Sequence, residues 1–254
     1  MRFRLLGPLT VIADDGSLLS ITQHRQRALL SVMLLHPNQP MTRARLASLL
    51  WDQHAPGDGA VRTLIWALRR HLGLAARLHR TAAGYQLEVR GGELDLDEFR
   101  AVAESGQESL AAGDNAAAAG SLGRALRLWR EPPLADLPPT TGVRWNVQLL
   151  LDERCAAAES LTDARLALGQ HRDVLAGLRA QVALSPERER LWEQFMLALY
   201  RCGRRAEALA AFARARTLLA AEYGLDPGPG LKALHQQVLD DDPRLRLAQP
   251  GIAS

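Results

Sequence analysis

Three arginines, a threonine and a tryptophan stand along Asp58-Gly-Ala-Val-Arg-Thr-Leu-Ile-Trp-Ala-Leu-Arg-Arg-His-Leu-Gly73 at spacings that suit one task, the grip of a polyanion. A guanidinium is a planar fork of donors that stays charged at physiological pH. It matches phosphate oxygens, or the edge of guanine, with two parallel hydrogen bonds. Arg62, Thr63, Trp66, Arg69 and Arg70 fall on one side of a 3.6-residue period, while Val61, Leu64, Ile65, Leu68 and Leu72 fall on the other and must enter a core. Asp58 is placed to cap the start and Gly73 to end the helix in the left-handed conformation. On an ordinary surface helix the same arginines would be solvated charge only. The surroundings have to decide.

Other chemistries find little to work with. Lys232 is the single lysine, so no phosphate loop of the Gly-x-x-x-x-Gly-Lys-Ser/Thr type is present. The seven histidines are scattered without a zinc-binding spacing, and no nucleophile turn surrounds a serine. The chain is therefore expected not to be an enzyme and to need no cofactor and no metal. Cys155 and Cys202 lie far apart inside helical patterns and are expected to be reduced thiols. No segment approaches the length of unbroken apolar sequence needed to cross a membrane. The start, Met1-Arg-Phe-Arg-Leu-Leu-Gly-Pro8, lacks a secretion signal. These features lead us to expect a cytoplasmic, nucleoid-associated protein.

Charge divides the 254 residues. Met1 to Gly91 hold 12 Arg and no Lys against 5 acidic residues, a balance of +7, leaving −4 for the remainder of a chain whose formal net charge is +3. A basic module joined to a mildly acidic one suggests nucleic acid for the first and protein contacts for the second.

The elements that must position the arginines can be read in order. Short apolar runs broken by Gly7-Pro8 and Asp14-Asp15-Gly16 predict a small antiparallel sheet with a turn at Asp15-Gly16. Ala28, Leu29, Val32, Met33 and Leu35 form a helical stripe from Gln23, ended by His36-Pro37-Asn38. A second helix begins at Thr42, with Leu46, Leu49, Leu50 and Trp51 on its core side. After the cationic helix, Leu78 to Val89 predicts a hairpin bent near Ala82-Ala83-Gly84, in which Tyr85, Leu87 and Val89 alternate with Gln86 and Glu88. Sheet, three helices and hairpin is the order of a winged helix-turn-helix, whose third helix enters the major groove.

Beyond the joint Arg90-Gly-Gly-Glu93, Asp95 and Glu98 predict a capping box, and almost everything after it is helical. Gly113, Gly169 and Gly203 each separate two apolar helical stretches, and the last two lie 34 residues apart, about the period of a tetratricopeptide repeat. One repeat places Trp192, Gly203, Ala208, Phe212 and Ala215 at its characteristic positions, and another places Gly113, Ala118, Leu122 and Ala125; the one around Gly169, Val174 and Leu178 is degenerate. Glu131 to Thr140 is too rich in proline for a helix, and Trp145 to Leu168 reads as one long helix. Ser185-Pro186-Glu187 reads as a helix start. The predicted fold class is mainly α with a small β component: a winged helix-turn-helix over 1–92, an all-α repeat domain over 95–242 and a tail over 243–254.

Arg25-Gln-Arg27-Ala-Leu-Leu, Leu46-Ala-Ser-Leu-Leu-Trp51, Leu68-Arg-Arg70 and Gly84-Tyr85 resemble landmarks of the winged-helix domain in the Streptomyces antibiotic regulatory proteins. The second module, with Leu199-Tyr-Arg-Cys-Gly-Arg-Arg-Ala-Glu-Ala-Leu209 and Gly224-Leu-Asp-Pro-Gly228, resembles the bacterial transcriptional activation domain of the same family. The resemblance implies an activator of a secondary-metabolite gene cluster. Two copies would bind direct repeats in double-stranded DNA near a promoter, with the possibility of a homodimer on DNA, and would recruit RNA polymerase through its sigma factor. It implies major-groove roles for Arg62, Thr63, Trp66, Arg69 and Arg70. Trp66 has two candidate roles, packing on sugar or a thymine methyl, or propping the wing. Arg25, Arg43, Arg80 and Thr81, at helix starts and on the wing, are candidates for phosphate contact. Arg27, beside the apolar stripe, reads as structural. The family commonly shows Ser-Arg-Leu-Arg where this chain has Trp66-Ala67-Leu68-Arg69, which leaves base preference open. Asp52 to Gly57 corresponds to a segment that touches RNA polymerase in related response regulators. Larger members append a nucleotide-hydrolysing domain, which is not expected here. The competing reading is a repeat-domain interaction adaptor, or an effector-sensing regulator, whose winged helix makes protein contacts.

Overall fold

Turn residues cut the first twenty positions into three short strands. The structure, a computed structural model, describes residues 1–51, 57, 59–74, 77–137 and 140–247. Strands β1 (Arg2–Arg4), β2 (Thr10–Ile12) and β3 (Leu18–Leu19) form an antiparallel sheet in that order, with Phe3 opposite Val11 and Val11 opposite Leu19. The Asp15-Gly16 turn closes through the Ala13 amide on the Ser17 carbonyl and the Ser17 amide on the Asp15 carboxylate, both 2.9 Å.

Helix α1 (His24–Leu35) is covered on more sides than one stripe predicts, because Leu30, Ser31 and Leu34 are buried along with Ala28, Leu29, Val32 and Met33. Helix α2 (Arg43–Leu50) starts at Thr42, whose hydroxyl accepts the Arg45 amide at 3.2 Å. Leu46 and Leu50 are its buried residues. Leu49 is only half-buried, and Trp51 is not a core residue of the helix: it stands past the end, half-buried beneath Arg25. Helix α3 (Ala60–Leu72) follows and ends on Gly73 at φ 62°. The proposed cap at Asp58, and the loop from Asp52 to Gly57 apart from its last residue, lie outside the described residues.

Strands β4 (Leu78–Thr81) and β5 (Gly84–Leu87) pair antiparallel around Ala82-Ala83. The hairpin is fastened to the connection before α2: Met41 and Tyr85 exchange two backbone hydrogen bonds of 2.8 Å. This approach leaves room for glycine alone at position 84, where a Cβ would lie 2.1 Å from the Met41 carbonyl oxygen at a φ of +143°.

By contact the chain divides into two compact units, Met1–Ser105 with Gly123–Ala157, and Gly106–Leu122 with Ala158–Ser254. In the first, α4 (Asp95–Ala111) begins where a capping box was expected, but the Asp95 carboxylate is used otherwise. It accepts the Leu5 amide at 2.7 Å and the Leu6 amide at 3.2 Å, groups left unpaired where β1 ends. Burial pushes the Asp95 carboxyl above the usual carboxylate range, against the opposing pull of those amides and Arg130. The joint is also pinned: the Phe3 amide meets the Glu93 carbonyl at 2.6 Å, and Arg77 meets the Glu93 carboxylate at 2.7 Å. Residues 131–137 form turns rather than helix, as proline requires, and Leu134 and Leu137 are buried. Arg27 points inward, donating to the Leu9 and Ile21 carbonyls and pairing with Asp136, which makes it structural. Thr140 caps α6 (Thr141–Ala167) by accepting the Val143 amide at 3.3 Å, and donates its hydroxyl to the Leu49 carbonyl at 3.1 Å.

The second unit contains α7 (His171–Leu184), α8 (Glu189–Arg201), α9 (Arg205–Leu218), a π-helical turn (Leu219–Tyr223), α10 (Pro229–Leu239) and a 3₁₀ turn (Pro243–Leu245). Helix α5 (Asn115–Arg127) contributes its first part, with Ala118 and Leu122 fully buried. Trp192, Phe195, Met196, Ala208, Phe212 and Ala215 form one core with Val174, Leu178, Leu231 and Val238. The repeat glycines Gly113, Gly169 and Gly203 all take left-handed φ of 75–80°, as turns between paired helices need. The helix start at Ser185-Pro186-Glu187 is corrected: Ser185 closes α7, and α8 begins at Glu189. The Pro186 carbonyl, free in that turn, accepts the Trp192 indole N–H at 2.9 Å.

Candidate nucleic-acid interface

Burial sorts the residues of α3 by period. Val61, Ile65, Leu68 and Leu72 are buried against α1 and α2, and Leu64 is half-buried at the edge of the stripe. Arg62, Thr63, Trp66 and Arg70 are exposed on the opposite side. The structure therefore keeps these four together on one open, cationic face.

Their individual states differ. The Arg62 side chain is free among the described residues, while the Thr63 hydroxyl donates to the Gly59 carbonyl one turn back at 3.2 Å and keeps acceptor capacity outward. Trp66 is 59% exposed, and the Arg70 guanidinium lies over its ring at 5.5 Å from the centroid. That contact holds ring and charge as one flat patch. Arg69 departs from the group. It is half-buried and donates its Nε–H to the Leu78 carbonyl at 2.5 Å, tying α3 to the first residue of the hairpin.

The outlying candidates are placed by other elements. Arg25, the second residue of α1, is exposed, with its guanidinium 4.9 Å from the centroid of Trp51. Arg43 opens α2 and is exposed. Arg80 is exposed on β4, and Thr81 at the hairpin bend is half-buried, its hydroxyl donating to the Gly84 carbonyl at 3.3 Å. Arg45, not singled out from the sequence, is equally exposed in the first turn of α2. The reasoning that selected Arg43, proximity to the Thr42 cap, applies to it as well. His36, at the end of α1, is held below its ordinary pKa by burial first, then by the charges of Arg45 and Arg100.

Among the described residues no helix is long and apolar enough to cross a membrane. A patch of guanidinium and indole on a helix backed by leucine and isoleucine suits phosphate and base edges in a groove.

The comparisons with known proteins agree in architecture. Residues 20–86 match the family of the C-terminal domain of transcriptional regulatory proteins, and residues 94–239 match the bacterial transcriptional activator domain. The chain is 40% identical over 96% of its length to the regulatory protein AfsR of Streptomyces coelicolor, and 31% identical over 99% of its length to the regulatory protein DnrI of Streptomyces peucetius. It covers 25% of AfsR and 97% of DnrI. Among solved structures it resembles Mycobacterium tuberculosis EmbR in complex with a low affinity phosphopeptide, with TM-score 0.89 and 34% identity, covering 95% of this chain and 65% of that one. By its two matched domains, in this order, and its likeness to DnrI along nearly the whole of both chains, the chain belongs to the Streptomyces antibiotic regulatory protein family of transcription regulators.

Proposed function

We propose that this chain is a sequence-specific DNA-binding transcription activator of an antibiotic or other secondary-metabolite gene cluster. The observation that carries the reading is the open face of α3, where Arg62, Thr63, Trp66 and Arg70 stand together. Arg62 and the Arg70–Trp66 pair read or flank base edges in the major groove. Arg25, Arg43 and Arg80 take phosphates on either side, and Arg69 holds the wing so that Arg80 and Thr81 reach the neighbouring backbone. Two copies occupy a direct repeat beside the promoter, and the activation domain and the loop before α3 engage RNA polymerase, its sigma factor included.

The test is fluorescence anisotropy of the full chain on duplexes from the intergenic DNA beside its gene, with competitor DNA and a salt series. If each protomer neutralises roughly four to six phosphates, log affinity falls against log salt with a slope near −0.9 per contact. Competitor-resistant binding that maps to direct repeats supports the reading. Binding to no promoter-proximal duplex refutes it and favours the adaptor. A run-off transcription assay with RNA polymerase then tests activation separately.

A further inference from the structure

Within the second unit, the end of α8 and the starts of α7 and α9 border a cavity of about 370 Å³. His171, Tyr200, Arg201, Arg205, Arg246 and Leu247 line it, and Asp241 is the carboxylate among its lining residues. That carboxylate is already engaged, by the Tyr200 hydroxyl and by Arg246, each at 2.6 Å.

Arg201 is held in place with no carboxylate against it, and Arg205 makes no ion pair among the described residues, although its charge is felt by the Asp241 carboxylate, which Arg246 and Tyr200 already engage. Arg201 donates Nε–H to the Leu245 carbonyl at 2.8 Å and Nη1–H to the Leu166 carbonyl at 2.9 Å. Arg205 donates Nε–H to the Val238 carbonyl at 2.9 Å and Nη2–H to the Leu239 carbonyl at 2.6 Å. Carbonyl acceptors fix a guanidinium while leaving its full charge. Among the described residues Nη2 of Arg201 and Nη1 of Arg205 make no hydrogen bond. Burial pushes the Arg201 guanidinium below the usual arginine range, as expected of a cation withdrawn from water with no carboxylate beside it.

Two further features lie at the same cavity. His171 Nδ1 is buried with no hydrogen-bond partner among the described residues, a state polar atoms ordinarily avoid. Helices α7 and α9 begin at this cavity with His171 and Arg205, and neither N-cap residue, Gln170 or Arg204, makes a side-chain capping bond. Two uncapped helix starts add partial positive charge. Asp173 and Glu207 in the first turns offset part of it, although Glu207 is committed to Arg204 at 2.6 Å.

We infer that this cavity binds a small organic anion, a carboxylate or phosphate carried on an apolar body, with Arg201 and Arg205 holding the charged group. Tyr200 and Leu247 flank the apolar part. A guanidinium fixed in advance loses little freedom on binding, so even a modest ligand is recognised. The inference stands independently of DNA binding and gives the repeat domain a ligand of its own.

The test is equilibrium titration and thermal shift of the full chain with phenyl phosphate, with benzoate, and with benzyl alcohol as the uncharged control. Saturable binding and stabilisation are expected with at least one of the two anions and not with the alcohol; which anion is stronger distinguishes phosphate from carboxylate. Leu247→Glu adds a negative charge at the cavity while sparing the bonds of both arginines, and is expected to weaken anion binding about tenfold or more. Arg201→Gln should act likewise; should it fail to fold, Leu247→Glu carries the test. Arg62→Ala on α3 should leave anion binding unchanged, separating this cavity from adventitious phosphate on the DNA-facing surface. Absence of saturable binding with both anions overturns the inference, as does anion binding that Leu247→Glu leaves intact or Arg62→Ala removes.

Discussion

Arg69 donates its Nε–H to the carbonyl of Leu78, so the arginine that follows Leu68 on α3 is a strut to the hairpin while its neighbour Arg70 faces solvent over Trp66. Two adjacent arginines of one helix are thereby given different work. The consequence is that their substitutions should be separable by measuring folding and DNA binding on the same variants.

Arg69→Ala should lower stability by about 1–3 kcal/mol, the loss expected when a hydrogen bond from a charged donor is removed and a carbonyl is left without its partner. Arg62→Ala and Arg70→Ala should change stability by no more than about 0.5 kcal/mol, as surface substitutions do, yet weaken specific DNA binding by about 1–3 kcal/mol each. Denaturant titration beside anisotropy reads both quantities. Equal stability loss in all three variants would contradict the division.

Gly84→Ala should cost at least about 2 kcal/mol, because the new methyl meets the Met41 carbonyl and the backbone must leave a conformation that L-residues avoid. The loss should concentrate in the hairpin. Hydrogen exchange of the Met41 and Tyr85 amides, which bond each other's carbonyls, reports it directly, and unchanged protection would refute the assignment.

Acid should loosen the first unit through His36. Its folded pKa lies below the ordinary value of 6.5, owing to burial and to the charges of Arg45 and Arg100, so as pH falls through 6.5 the unfolded chain takes up the proton first. Stability is fully present above that value, declines as pH drops towards the folded pKa and levels off below it. His235 in the second unit, lowered by burial and Arg216, adds a decline of the same sign. His36→Gln should therefore flatten, without abolishing, the fall in melting temperature between about pH 7.5 and 5.5. An unaltered slope in that variant would remove His36 from the account.

A fragment ending at Gly92 should fold poorly. It lacks Asp95, which accepts the Leu5 and Leu6 amides, Asp136, which pairs with Arg27, and Thr140, which bonds the Leu49 carbonyl. Buried groups left unpaired cost about 1–3 kcal/mol each, enough together to erode the stability of a small domain. Circular dichroism melts of fragments ending at residues 92 and 157 should show a cooperative, higher transition only in the longer one. Equal melting would show these ties to be dispensable.

What the sequence revealed follows the range of the forces involved. The stripe Val61, Ile65, Leu68 and Leu72 was legible because a helix against a core must repeat every three to four residues, and the repeat glycines because a left-handed turn nearly demands that residue. Asp95 marked the start of α4 correctly, but the partners of its carboxylate, Leu5 and Leu6, stand some ninety residues away and no local pattern names them. Ser185-Pro186 placed the start of α8 a few residues early, because Ser185 still closes α7. At the candidate interface the periodicity separated the exposed side of α3 from its buried stripe, and four of the five residues named from it stand exposed. It could not single out Arg69, since nothing in a helical wheel records where a hairpin carbonyl will sit. Arg25 over Trp51 was equally hidden, because the indole leaves the helix pattern one residue after α2 ends.

The central claim is that the exposed face of α3 is the surface that meets DNA, and the most direct measurement compares the salt dependence of binding for the full chain and for its Arg62→Ala/Arg70→Ala variant on one promoter-proximal duplex. The account predicts that the variant stays folded, binds more weakly, and shows a slope shallower by up to about two contacts, roughly 0.9 for each arginine that meets phosphate. A folded variant with the affinity and slope of the parent would place DNA elsewhere, or nowhere, on this protein.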